Sequence, residues 1–121
     1  MSAPGGAGDP NCIFCKIVRG EIAANELVRS EAALAIADVN PKAPTHVLVL
    51  PTRHVTNLSD FVAQAANHEV GDLFALAAQV GREASPGGYR IVVNEGADAG
   101  QTVFHLHLHV LAGRAMSWPP G

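Results

Sequence analysis

The stretch whose reading decides the fold is QTVFHLHLHV, residues 101–110, in which three of the chain's six histidines alternate with leucine. Side chains on a strand point alternately to opposite faces. The pattern therefore predicts a β-strand over TVFHLHLHVLAG, residues 102–113. Leu106, Leu108 and Val110 share one face, which is the core face. His105, His107 and His109 share the other, which must look at water, a metal or a ligand.

One ion serving all three histidines is a strained arrangement. A strand rises about 3.3 Å per residue, so His105 and His109 stand roughly 13 Å apart. A zinc–nitrogen bond is only about 2 Å. The row therefore divides its labour. A neutral imidazole titrates near neutrality and is a good nucleophile at pH 7. Attack on phosphorus gives a phosphohistidine-type adduct, and a second histidine on the same face can donate a proton. Just upstream, GADAG, residues 96–100, is a glycine-bounded loop whose backbone N–H groups can face phosphate oxygens.

Working outward, the rest of the chain supplies a sheet and helices for this strand. NCIFCKIVRGEI predicts a short helix, with Asn11 as N-cap and Gly20 as its stop. NELVRS and ALAIADV read as two strands joined by a turn at Ser30–Glu31. NPKAP, residues 40–44, is a rigid loop, and THVLVLP is a third strand apolar enough to be buried on both faces. A helical pattern follows, with Val70, Leu73, Phe74, Ala77 and Val80 on one face. Ser59 or Asp60 is its expected cap, with a break near Asn67–His68. YRIVVNE is the fourth strand. Strands clustered around one main helix with short connections predict an α+β fold with an antiparallel sheet.

With 121 residues the chain fits one domain and buries a real core. Net charge is −3 and no Lys/Arg run occurs, which argues against a nucleic-acid polymer as partner. No apolar run reaches the roughly 20 residues of a membrane span. MSAPGGAGDP lacks the basic and apolar parts of a signal peptide and reads as a disordered tail, residues 1–10, before a single domain, residues 11–121. The expected compartment is the cytoplasm. There a C-x-x-C pair such as Cys12 and Cys15 is metal-binding or redox-active rather than a structural disulfide.

Beyond these residues the chain resembles the histidine triad (HIT) family. HLHLHVL matches its His-φ-His-φ-His-φ-φ signature, φ being apolar, and CIFCKIVRGEI, ADVNPKAPTHVLVLPTRH and YRIVVNEGADAGQTVFHLHLHVLAGRAMSWPPG are similar to its Hint branch of purine nucleoside phosphoramidases. The resemblance implies a HIT-like fold: a five-stranded antiparallel sheet, a main helix, a short N-terminal helix and a ten-stranded sheet across a homodimer. It implies a purine nucleotide substrate, with His107 as nucleophile and His109 on the phosphate and leaving group. His46 would hydrogen-bond toward His107 and orient it. Asn94, Gln101 and Thr102 would hold phosphate oxygens and the leaving group, and Asp38 the ribose hydroxyls. Phe14, Ile17, Ile36 and Val39 would line the base pocket, and Trp118 would shape the leaving-group pocket of the partner. Zinc-carrying bacterial members imply a structural zinc on Cys12, Cys15, His54 and His105.

The residues by themselves carry plainer readings. Asp38 and Asn94 are turn formers, His46 is a satisfied core histidine, and Phe14, Ile17, Ile36 and Val39 are core. The cysteines are two buried thiols without a metal. Two other functions stay open: dinucleoside polyphosphate hydrolysis, and a zinc-stabilised nucleotide-binding scaffold without turnover.

Overall fold

The computed structural model describes residues 9–121, so the expected tail lies almost wholly outside the described residues. Five strands form one antiparallel sheet: β1 (Glu26–Arg29), β2 (Ala33–Ala37), β3 (Thr45–Pro51), β4 (Tyr89–Val93) and β5 (Leu108–Ala112). Their order is β1-β2-β3-β5-β4, so β3 is central, β5 is an interior strand and β4 is an edge. Among the described residues, three α-helices, α1 (Ile13–Val18), α2 (Leu58–Gln64) and α3 (Asn67–Ala84), and a 3-10 turn at Ala97–Ala99 complete the fold.

The doubly apolar β3 is explained by its two neighbours. Val47 and Val49, with Ala33, Ala35, Leu108 and Val110, face Leu73, Leu76 and Ala77 of α3. Leu48 and Leu50, with Leu34 and Ile36, face Phe14 and Ile17 of α1. Alternate residues thus enter opposite cores, as the pleat requires. Gly81 of α3 lets the two layers meet closely. A Cβ there would lie 2.4 Å from the ring of Tyr89 at the start of β4.

Local details differ from expectation. Cys12, not Asn11, caps α1, its Sγ accepting the Cys15 N–H at 3.3 Å. Asn57, not Ser59 or Asp60, caps α2. The helical run breaks at Ala65–Ala66, where the backbone is extended. There Glu69 accepts the Ala66 N–H and also pairs with Arg53 at 2.7 Å.

The main correction concerns the histidine strand. Only Leu108–Ala112 is ladder-paired, so His109 lies on β5 while His105 and His107 precede it. The reason is a stronger local pull. The Leu106 N–H goes to the Val55 carbonyl at 2.8 Å, and His105 Nε2 to the Pro51 carbonyl at 2.9 Å. The segment is drawn toward the loop after β3 instead of continuing the ladder. The Leu face is core as expected, and His105 is fully buried.

Candidate active site and metal centre

The histidines sort into two groups. His105 Nδ1 lies 3.3 Å from Cys12 Sγ, 3.6 Å from Cys15 Sγ and 3.2 Å from His54 Nδ1. Cys15 Sγ lies 3.2 Å from His54 Nδ1. All four donor atoms fall within 4.8 Å of one another. A tetrahedron with zinc–nitrogen bonds of about 2.0 Å and zinc–sulfur bonds of about 2.3 Å has edges of about 3.3–3.7 Å.

Proton placement makes the case for a cation stronger than spacing does. The Pro51 carbonyl can only accept, so His105 Nε2 carries the proton and Nδ1 presents a lone pair. His54 Nε2 faces the Asp9 carboxylate at 3.6 Å, which turns the lone pair of its Nδ1 inward as well. Two lone pairs 3.2 Å apart repel unless a cation lies between them. Burial pushes the Cys15 thiol up to about 12, and a bound divalent ion reverses that by favouring the thiolate. The donor set therefore fits zinc. Asp9 and the Pro51 carbonyl serve as the outer partners that orient metal-bound imidazoles. The sequence reading missed both, because a backbone carbonyl leaves no signature and Asp9 sits in what looked like tail.

The second group is Asp38, His46 and His109, from the end of β2, β3 and β5. The Lys42 N–H donates to His46 Nδ1 at 3.0 Å. His46 is therefore protonated on Nε2, which lies 2.9 Å from His109 Nδ1 and 3.3 Å from Asp38 Oδ2. Accepting at Nδ1, His109 carries its own proton on Nε2. His46 thus meets His109, not His107 as expected. Register is the cause: His46 lies opposite Leu111, one step from His109 on the same face. Burial holds the imidazolium forms of His46 and His109 below the usual range, and His109 is brought to about 4 with help from the neighbouring His107 and His46.

His107 stands between the groups. Its Nδ1 is 2.9 Å from the His105 carbonyl, so Nδ1 carries the proton and Nε2 presents a lone pair. Its ring centroid is 5.0 Å from that of His109. Phe14 packs edge-on against both His105, at 5.7 Å, and His107, at 5.2 Å. A metal-side histidine thus fixes the tautomer of the next histidine through its backbone.

With this geometry the sequence relationships are specific. A family model for the HIT domain matches residues 19–116. The chain belongs to the HIT family. A 13.2 kDa HIT-like protein of Azospirillum brasilense is 46% identical over 110 residues, covering 89% of this chain and 90% of its own. A 14 kDa zinc-binding protein of Zea mays is 39% identical over 117 residues, covering 93% and 90%. Among solved structures, a HIT family hydrolase from Legionella pneumophila Philadelphia 1 superimposes with TM-score 0.80 at 36% identity, over 92% of this chain and all of that one. A zinc-bound histidine triad family protein from Mycobacterium smegmatis gives 0.76 at 35% identity, over 88% and 78%.

The other expected site residues of this HIT protein divide. Thr102 is exposed and Asn94 half-buried beside the triad segment. Gln101 is a correction: its amide is consumed within the protein. Its Oε1 accepts the Gly96 N–H at 3.0 Å, and its Nε2 donates to the Thr56 and Val103 carbonyls at 2.7 and 3.2 Å. It shapes the glycine loop instead of reaching a phosphate. Asp38 Oδ1 accepts the Asn40 N–H at 2.8 Å, the turn its residue type suggests. Phe14, Ile17 and Ile36 are buried in the α1 core and Val39 is fully exposed. Trp118 is exposed in the single chain.

Proposed function

We propose that this HIT protein hydrolyses purine nucleoside 5′-phosphoramidates, such as adenosine 5′-monophosphoramidate, to the nucleoside monophosphate and an amine. The observation that carries the reading is the opposite tautomers of adjacent imidazoles: a lone pair on His107 Nε2 beside an N–H on His109 Nε2. His107 Nε2 attacks phosphorus and the phosphorus–nitrogen bond breaks. An anionic phosphate shifts His109 toward its charged form, and that histidine protonates the departing nitrogen. Water then attacks the nucleotidyl-histidine, the bond to His107 breaks, and the water's proton returns to His109. Two steps replace one difficult displacement. His46 holds the tautomer of His109. Thr102 and Asn94 bind phosphate oxygens, Asp38 takes the ribose hydroxyls, and the base lies near Val39 and the edge of the Phe14–Ile17–Ile36 cluster.

Zinc fills the Cys12–Cys15–His54–His105 site. A closed four-ligand site leaves no position for substrate, so its role is structural. Reduced thiols fit a cytoplasmic protein. Of the two edge strands, β4 lies next to the catalytic β5. Pairing β4 with its copy gives a ten-stranded sheet, brings the half-exposed Phe74 and Tyr89 together, and gives Trp118 a partner surface.

The test is turnover of adenosine 5′-monophosphoramidate against a diadenosine polyphosphate. Preference for the phosphoramidate is expected. Preference for the polyphosphate establishes the hydrolase alternative, and nucleotide binding without turnover of either establishes the scaffold.

A further inference from the structure

A cavity of about 500 Å³ opens at the far end of the sheet from the metal centre, walled by Ser85, Gly87, Gly88, Tyr89, Arg90 and Arg114. Its chemistry is one-sided, since no acidic residue among the described residues lines it. Arg19, Arg29 and Arg53 each pair with a glutamate, whereas no ion pair among the described residues is seen at Arg82 on α3. Arg90 and Arg114 have no carboxylate partner among the described residues, in a chain with eleven acidic and eight basic residues. Both guanidinium groups are instead tied to backbone. Arg90 donates to the Ser117 carbonyl at 3.0 Å. Arg114 donates to the Ala115 and Lys42 carbonyls, each at 3.2 Å. A guanidinium has five N–H groups, so most remain for a ligand. Side chains held this way lose less freedom when they grip a carboxylate or phosphate in a bidentate fork. Gly87 and Gly88, also in the lining, leave open space where a Cβ would project, and Gly88, at φ +144°, adopts a backbone that side chains rarely tolerate.

Register connects this pocket to the triad. Across β4–β5, Arg90 lies opposite Leu111 and Val92 opposite His109. Across β3–β5, His46 lies opposite Leu111. Arg90, His109 and His46 therefore share one sheet face around Leu111. Diagonal neighbours such as Arg90 and His109 are about 7–8 Å apart, within reach of a short aliphatic chain. On the other flank Arg114 holds the carbonyl of Lys42, whose N–H orients His46.

We propose that the Arg90–Arg114 pocket is an anion site that receives a carboxylate or phosphate carried on the leaving group of the substrate. It rests on the reading of the triad as cleaving a phosphorus–nitrogen bond, and it makes the preferred substrates phosphoramidates of acidic amines. The probes are adenosine 5′-phosphoramidates of γ-aminobutyrate, of its neutral carboxamide and of 3-aminopropyl phosphate. In the wild type, kcat/KM for the favoured acidic leaving group should exceed that of the carboxamide by about tenfold, and the larger of the two acidic ratios identifies carboxylate or phosphate as the ligand. In the double variant Arg90→Met, Arg114→Met, checked for folding by circular dichroism, that ratio should fall to about one. Equal turnover of all three by the wild type, or an unchanged ratio in the variant, overturns the anion site while leaving phosphoramidase activity standing. Equilibrium binding of the same compounds to His107→Asn separates the other case. If nothing is turned over but an acidic compound binds about tenfold tighter than the carboxamide, the pocket stands and the phosphoramidase reading falls. If binding shows no acidic preference, the pocket proposal is wrong whatever the turnover, including where a second copy of the chain fills it.

Discussion

His107 and His109 are the same residue type on the same segment, yet their backbones and neighbours give them opposite tautomers. His107 donates its Nδ1–H to the His105 carbonyl, while His109 accepts the His46 Nε2–H at Nδ1 and so carries its own proton on Nε2. His107→Asn should retain fold and nucleotide binding but lose turnover by about a thousandfold or more, as loss of a nucleophile does. The covalent adduct, sought by mass spectrometry after quenching, should be absent; near wild-type turnover would transfer the nucleophile's role elsewhere. His109 also makes a prediction about pH. Its imidazolium form is disfavoured in the folded chain, with a pKa near 4 against an ordinary 6.5. Between those values the unfolded chain binds more protons, so stability falls as pH drops from about 6.5 toward 4. Thermal melts of His109→Gln should show a shallower loss over that window than the wild type. Parallel curves for the two proteins would contradict the buried neutral ring.

Among the elements, α1 is short, yet it carries more than its length suggests. Cys12 caps it, Cys15 continues the metal donors, and Phe14 between them touches both His105 and His107. A metal on this centre ties α1, the loop after β3 and the triad segment together. Elemental analysis should find about one zinc per chain, as a single tetrahedral site requires. Chelation should lower the melting temperature, because metal binding contributes to folding, and activity should fall only as far as the fold loosens. Metal-free protein that keeps its melting temperature but loses all activity, restored by zinc, would make the metal catalytic. The contact of α3 with β4 makes a separate prediction. Gly81→Ala drives a methyl group to within 2.4 Å of the Tyr89 ring. Overpacking of this kind costs about 1–3 kcal/mol, to be read from urea denaturation. An unchanged midpoint would show that the ring simply swings aside.

At the scale of the whole molecule, the sheet has two open edges, and strand edges invite pairing. Light scattering at micromolar concentration should report about twice the chain mass if β4 pairs across a two-fold axis. A monomer at that concentration would remove the proposed partner role of Trp118, which is 81% exposed in the single chain. No helix among the described residues is long and apolar enough to cross a membrane.

The amino-acid sequence alone determined the strand and helix order and the two-faced burial of β3. The alternation at residues 105–109 marked Leu106 and Leu108 as core, and strand spacing made one ion for all three histidines a strained arrangement. Local patterns suffice there, because side-chain alternation and helical periodicity follow from backbone geometry. Spacing alone marked Cys12 and Cys15 as a pair, but His54 and His105 lie far along the chain, and resemblance to a family joined them to it. Only the tertiary structure decided where β5 begins, that His46 serves His109, that Gln101 spends its amide on its own loop, and that two arginines without a carboxylate partner among the described residues share a pocket. Each of these depends on strand register or on a backbone N–H or carbonyl. Those groups are present at almost every residue, so side-chain identity carries no record of which one becomes a partner.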